Sequence, residues 1–356
     1  MKIEAHSPTI RRREMDAVLT AMVEDRVGPG EYSRVLLQTA KERIRFDFAL
    51  ALRSPETALR IAFKALALEE GDGVLISALS PRYYAQALAD MRLVPIYCDA
   101  ASFSFPCLSR ESAEKAIADA GPDARPRCVL LHHTLGFVPD LASLADLGLP
   151  IIEDISQSYG PEPEGEAVAQ GGAVAQGGGA GGIFSVLGLE ARDVLTSGGG
   201  ALLFSMNKRD SGPLRAHSGL PQEYCLPDMN AALAASQFRE TERSAERRKE
   251  IAEFYLKASL RCRHKRFAPL EGARHNAYAF PLVLESSVKD VAAYARKKEI
   301  AVETAFSDSL MGTGAVDQRL CPISHSLSLR TVLFPLYPRL RSSEAERVAK
   351  LITTLP

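Results

Sequence analysis

The feature that most constrains this chain is a series of short apolar runs, spaced by helical segments, over residues 47–156. DFALAL (47–52), GVLISAL (73–79), VPIYCDA (94–100), RCVLLHHT (127–134) and PIIEDIS (150–156) are near-continuous in apolar character. A strand with one wet face alternates polar and apolar residues, so these read as strands covered on both faces. Between them lie SPETALRIAFKALAL (54–68), YYAQALADM (83–91), ESAEKAIADA (111–120) and DLASLADLG (140–148), which read as helices. The first of these has Ser54 as N-cap, Pro55 at the first helical position and Glu56 in the first turn. Repeated βα units predict a mixed, mainly parallel sheet in a three-layer α/β/α domain, with ligands at the C-terminal strand ends.

The flanking segments fill out the plan. Residues 10–45 are helical in pattern, with a break at GPGE (28–31). PEPEGEAVAQGGAVAQGGGAGG (161–182) interrupts the βα series and contains AVAQGG twice in tandem. A glycine-rich hexamer cannot bury a core, so this reads as a flexible inserted loop. The strand GGALLFS (199–205) is followed by one long charged helix, roughly 230–258. Its acids and bases mix at three- and four-residue spacing, a solvated face. The last hundred residues alternate again: NAYAFPLVLE (276–285) and AVETAF (301–306) as strands, VKDVAAYARKKEI (288–300) and SSEAERVAKLITTL (342–355) as helices. The expected division is a large domain over 1–235, carrying the insert, and a small C-terminal α+β domain over 236–356.

Composition excludes several classes. With 356 residues the chain is long enough for a core that needs no staples. A net charge of −1 offers no footprint for nucleic acid or an acidic membrane. The six cysteines contain no CxxC pair and do not cluster with the seven histidines, so neither a metal site nor a disulfide framework is expected. No stretch of 18 apolar residues occurs and the N-terminus has no apolar leader, which predicts a cytoplasmic protein without membrane association.

Four stretches, in order, resemble one family. PIIEDISQSYG (150–160) looks like a family segment IEDAAQAHG, and EEGDGVLISALSPRYYAQALADMRLVPIYCD (69–99) corresponds without gaps to the stretch that begins GDEVIVPSFTF. LPDMNAALAASQF (226–238) resembles RMTDIQAALGLAQL, and FPLYPRL (334–340) resembles LPLYPGL. The family is that of the DegT/StrS sugar aminotransferases, which use pyridoxal phosphate (PLP) on the fold-type-I aminotransferase architecture. The resemblance implies a homodimer with sites at the interface and nucleotide-linked keto sugars as substrates. It also places site residues. Asp154 falls where an aspartate keeps the PLP ring nitrogen protonated, so that the ring can act as an electron sink. Gln157 falls at the ring hydroxyl, Ser185 at the phosphate, and Ser54–Pro55–Glu56 at the phosphate-binding helix start. Pro81 takes the place of the stacking aromatic, with Tyr83 or Tyr84 as possible substitutes. Glu223 takes the place of an asparagine that reaches the phosphate from the partner subunit. Taken alone, Asp154 and Gln157 are also compatible with a capped strand-end turn, and Ser54–Glu56 with a plain helix start.

Several positions depart from the family pattern. IFSVLGLEARDVLTSGGG (183–200) is where the resemblance places the aldimine lysine, yet no lysine lies between Lys115 and Lys208. Counting back from Gly199 the position falls on Arg192; counting forward from Ser185 it falls on Glu190. A guanidinium stays protonated and is a poor nucleophile. Related dehydratases use histidine here, and none occurs between His133 and His217. At the phosphate, Pro55 has no N–H, and Glu56 brings a negative charge to the anion seat; like unit charges about 4 Å apart repel by about 4 kcal/mol at an effective dielectric near 20. These changes argue against covalent attachment of PLP and against its binding. The expectation is an aminotransferase-like protein of nucleotide-sugar or surface-polysaccharide metabolism without Schiff-base transamination, paired with itself or with an active paralogue. Two alternatives stand beside it. One is a working PLP or pyridoxamine-phosphate aminotransferase or dehydratase, using Lys208 or another distant lysine. The other is a cofactor-free enzyme or sugar-nucleotide-binding subunit, in which Asp154, His133, Arg192, Glu56 and Glu223 could supply acid–base groups.

Overall fold

The computed structural model describes residues 2–160, 181–269 and 275–356. The chain begins with two helices, α1 (Arg12–Val23) and α2 (Glu31–Ile44), separated where glycine and proline punctuate the sequence. Asp228 accepts hydrogen bonds from the N–H groups of Gly30, Tyr32 and Ser33, satisfying donors that the first turn of α2 leaves free.

Seven strands form the main sheet: β1 (Phe48–Leu52), β2 (Gly73–Ser77), β3 (Val94–Cys98), β4 (Pro126–His132), β5 (Ile151–Asp154), β6 (Phe184–Gly188) and β7 (Ala201–Ser205). Helices α3 (Pro55–Ala65), α4 (Tyr83–Asp90), α5 (Arg110–Ala120) and α6 (Leu141–Ala145) connect the first five. The order is β1-β7-β6-β5-β4-β2-β3, and β7 alone runs against its neighbours. The C-terminal ends of β1, β4, β5 and β6 and the start of β7 therefore share one edge. Every residue of β2, β5, β6 and β7 is buried, as unbroken apolar runs require.

The second half adds α7 (Lys208–Arg215), α8 (Asp228–Arg239), α9 (Thr241–Ser259), β8 (Phe280–Val283), α10 (Val288–Lys297), β9 (Glu303–Thr304), α11 (Pro322–Arg330), β10 (Thr331–Phe334) and α12 (Ser342–Thr353). Strands β8, β10 and β9 make a small antiparallel sheet. Its core holds Tyr255, Leu282, Val291, Val332, Val348 and Ile352, and also Ile3, which bridges to Ile300. The N-terminal segment thus packs into the smaller sheet's core before the chain enters the large sheet.

The long helix expected over 230–258 is two helices. The backbone leaves helical geometry at Glu240 (φ −97°, ψ 5°), and Thr241 Oγ1 donates to the Phe238 carbonyl at 2.9 Å. The part before the break is buried from Ala231 to Phe238, and the charged, solvated face belongs to α9. The insert expected over 161–182 lies, apart from Gly181 and Gly182, outside the described residues.

A candidate cleft at the strand ends

Asp154 closes β5 and is fully buried. Both its carboxylate oxygens are engaged. Oδ1 accepts from the Ser156 N–H at 3.0 Å and the Ser156 hydroxyl at 2.5 Å. Oδ2 accepts from the phenols of Tyr83 at 2.7 Å and Tyr84 at 2.8 Å. The two tyrosines open α4 and meet edge-on, with ring centroids 5.1 Å apart. Burial, then the Asp154 charge, pushes both phenols well above their ordinary range. His132, aligned with Asp154 on β4, packs edge-on against Tyr84; burial brings its pKa down to about 4, so it is neutral.

The turn after β6 splits its charged residues. Arg192 points outward and pairs with Glu303 on β9, its Nη2 donating at 3.0 Å. Its carbonyl accepts from the Tyr278 hydroxyl at 2.8 Å, and the Ala191 carbonyl lies 2.7 Å from His6 Nε2. Glu190 is exposed. Asp193 turns inward, where Oδ2 accepts from the Glu190 N–H at 2.8 Å. Gly188 makes room for it: a Cβ there would lie 2.3 Å from Asp193 Oδ2 and 2.8 Å from Ser156 Oγ. Burial first, and the Asp154 charge second, raise the Asp193 carboxyl well above the carboxylate range. Two neighbouring carboxyl groups therefore lie at the strand ends, and burial disfavours the charged form of Asp193. Sequence reasoning missed Asp193. The available signal was a glycine ending a buried strand five residues ahead of an acid.

The remaining candidates are distributed differently. Ser54 caps α3, its Oγ accepting from the Thr57 N–H at 3.1 Å. Glu56 Oε1 is buried without a hydrogen bond, 3.6 Å from Arg60 Nη1. Gln157 Oε1 accepts from the Leu135 N–H at 2.7 Å, which holds Leu135 in a left-handed conformation (φ 55°). Ser185 aligns with Glu153, the residue before Asp154, so Ser185 and Asp154 leave opposite faces of the sheet. Glu223 is exposed on the short turn Gln222–Tyr224. His133 Nδ1 meets Ser158 Oγ at 2.6 Å, and its Nε2 lies 3.4 Å from Glu153 Oε2 in a fully buried pair. Lys208 opens α7 beyond Ser205, at the end of antiparallel β7 remote from Asp154. The structure thus brings Tyr83 and Tyr84 to Asp154, engages Gln157 Oε1 at Leu135, and turns Arg192 to Glu303.

These residues do not fit pyridoxal phosphate. The carboxylate that would face the ring nitrogen already accepts four hydrogen bonds within the chain. The helix start that would hold the phosphate offers a proline and a carboxylate. The segment after β6 supplies no amine. Among the described residues no group of three potential ligands is arranged for a metal ion, and no helix is long and apolar enough to cross a membrane.

Comparison with known proteins places this geometry in context. Residues 8–353 match the model of the DegT/DnrJ/EryC1/StrS aminotransferase family. A dTDP-4-dehydro-2,3,6-trideoxy-D-glucose 4-aminotransferase from Saccharopolyspora spinosa is 23% identical, over 98% of this chain and 95% of its own. A GDP-perosamine synthase from Vibrio cholerae is 20% identical over 87% of each. The PLP form of a sugar aminotransferase from Streptococcus pneumoniae superposes with a TM-score of 0.85 at 15% identity, over 99% of this chain and 98% of that one.

Proposed function

Because this chain belongs to the DegT/DnrJ/EryC1/StrS aminotransferase family, we propose that it is a divergent member that does not transaminate through a Schiff base. In this reading it serves nucleotide-sugar or surface-polysaccharide metabolism as a binding or regulatory subunit. It works in the cytoplasm, as a homodimer or paired with an active paralogue whose site it completes.

One observation carries the proposal. The turn that would present an amine to the cleft presents Arg192 to Glu303 instead, on the outside. A guanidinium held by a carboxylate neither condenses with an aldehyde nor shuttles a proton. The alternative, an active enzyme using Lys208, requires that lysine to cross from the far end of β7. The cofactor-free alternative draws support from the Asp154–Asp193 pair rather than from His133, Arg192, Glu56 or Glu223, which lie buried apart from it or face outward.

The test is direct. Purified protein is incubated with PLP, scanned in the near-ultraviolet and visible, reduced with borohydride and mapped by peptide mass spectrometry. The expected result is no aldimine band and no reduced adduct. An adduct on Lys208, or on any lysine that reaches the cleft, would end the proposal. Thermal shifts with nucleotide sugars then ask whether the sugar-binding half of the reading holds.

A further inference from the structure

We propose that Tyr83 is the chain's own occupant of the seat at Asp154, a phenol lodged where the family fold would receive a cofactor ring. The inference rests on the family reading above for the identity of the seat, and goes beyond it in naming what fills it.

A carboxylate offers about four lone-pair sites. At Asp154 four donors from the chain take them: the amide and hydroxyl of Ser156 on one oxygen, and two phenols on the other. A protonated ring nitrogen would need one of these oxygens in line. The Ser156 side cannot yield, because Ser156 Oγ also receives the Gly188 N–H at 2.7 Å and its carbonyl accepts the Val194 N–H at 3.1 Å. Entry must therefore come from the α4 side. Tyr84 is completely buried and cannot withdraw without opening the core, whereas Tyr83 is only half-buried. Tyr83 is thus the outer, removable element of the seat, and Tyr84 is its wall.

The arrangement is self-consistent in charge. Without a cationic ring, the buried Asp154 carboxylate lacks a counter-ion among its hydrogen-bonding partners, and the hydrogen bonds of two phenols compensate. Burial first, and the Asp154 charge second, raise the neighbouring Asp193 carboxyl. Where a ring would sit, the phenols of Tyr83 and Tyr84 and the Ser156 side chain satisfy Asp154 from within the chain.

The experiment compares the full-length protein with Tyr83→Ala and Tyr83→Phe. Tyr83→Ala vacates a phenol-sized space beside a buried acceptor, and an emptied aromatic site of this kind takes up a small aromatic. Millimolar phenol should raise the Tm of Tyr83→Ala by about 3 °C and leave wild type and Tyr83→Phe within about 1 °C, since only the truncated variant has room. Pyridinium should act on the same variant alone. An equal response of wild type, or none from Tyr83→Ala, would overturn the inference. Should Tyr83→Ala fail to fold, wild type with labelled tyrosine decides. A protected hydroxyl proton, absent in Tyr83→Phe, should persist on adding PLP; its displacement would refute the plug. A reducible PLP adduct sinks the reading of the previous section, whereas indifference of Tyr83→Ala to phenol without such an adduct sinks only this one.

Discussion

At the scale of single residues, Asp193 gives a pH dependence whose sign can be worked out. Its carboxyl is raised well above 3.8 in the folded chain, by burial first and Asp154 second. Above pH 3.8 the unfolded chain has released a proton that the folded chain still holds. Stability therefore falls as pH rises, until the folded carboxyl ionises as well. Asp193→Asn keeps the acceptor for the Glu190 N–H and removes the titration. The variant should match wild type below pH 3.8 and gain on it as the pH rises above that value, until the folded carboxyl ionises, read as the difference in urea midpoints. A constant difference across that range would show that Asp193 is not held neutral. At this scale the family pattern supplied landmarks: it singled out Asp154, which the structure buries at the end of β5, and Arg192, which the structure pairs with Glu303 instead of turning it to Asp154. Asp193 was not singled out, because its role depends on Gly188 and Ser156, which meet it only after folding.

At the scale of elements, two side chains join distant segments with very different consequences. Asp228 is buried and accepts from Gly30 N at 2.9 Å, Tyr32 N at 3.1 Å and Ser33 N at 2.9 Å, the open end of α2. Asp228→Ala leaves three partly buried donors without their acceptor and should cost about 1–2 kcal/mol. The Arg192–Glu303 pair joins the large sheet's turn to β9, but Arg192 is 63% exposed. Solvent screens such a pair, so Glu303→Gln should cost less than about 1 kcal/mol. Both follow from urea unfolding, and a reversed order would mean that the Arg192–Glu303 pair, not the helix cap, contributes more to holding distant segments together. The strands of the main sheet were legible because double burial leaves apolar runs. The α8–α9 break was not, because helical spacing continues through Glu240 and only the change from buried to solvated face marks it. α11 was missed because Ser324, Ser326 and Ser328 blur its apolar stripe.

At the scale of the whole molecule, the fold persists while the cleft's chemistry changes, and the two are separable because different residues carry them. The core strands answer to burial, and the cleft to a few polar groups at their ends. This makes restoration by a single change implausible on physical grounds. Arg192→Lys would supply the amine at one of the two positions where the family pattern expects it. The side chain would still leave the turn on the side of Glu303, because Tyr278 and His6 hold the backbone at Arg192 and Ala191. Asp154 would remain saturated by Tyr83, Tyr84 and Ser156. Glu56, 3.6 Å from Arg60, would still place a carboxylate in the first turn of α3. The expected outcome for Arg192→Lys with PLP is no aldimine band and no borohydride-stable adduct at position 192, the same result as wild type. Combining it with Tyr83→Ala opens the seat but leaves the turn and Glu56 in place, so non-covalent ring binding should appear without the adduct. If the single substitution alone produced an adduct at position 192, only the amine would have been missing. The tyrosines, Asp193 and Glu56 would then be compatible with the cofactor, and the strand ends would not be built against it.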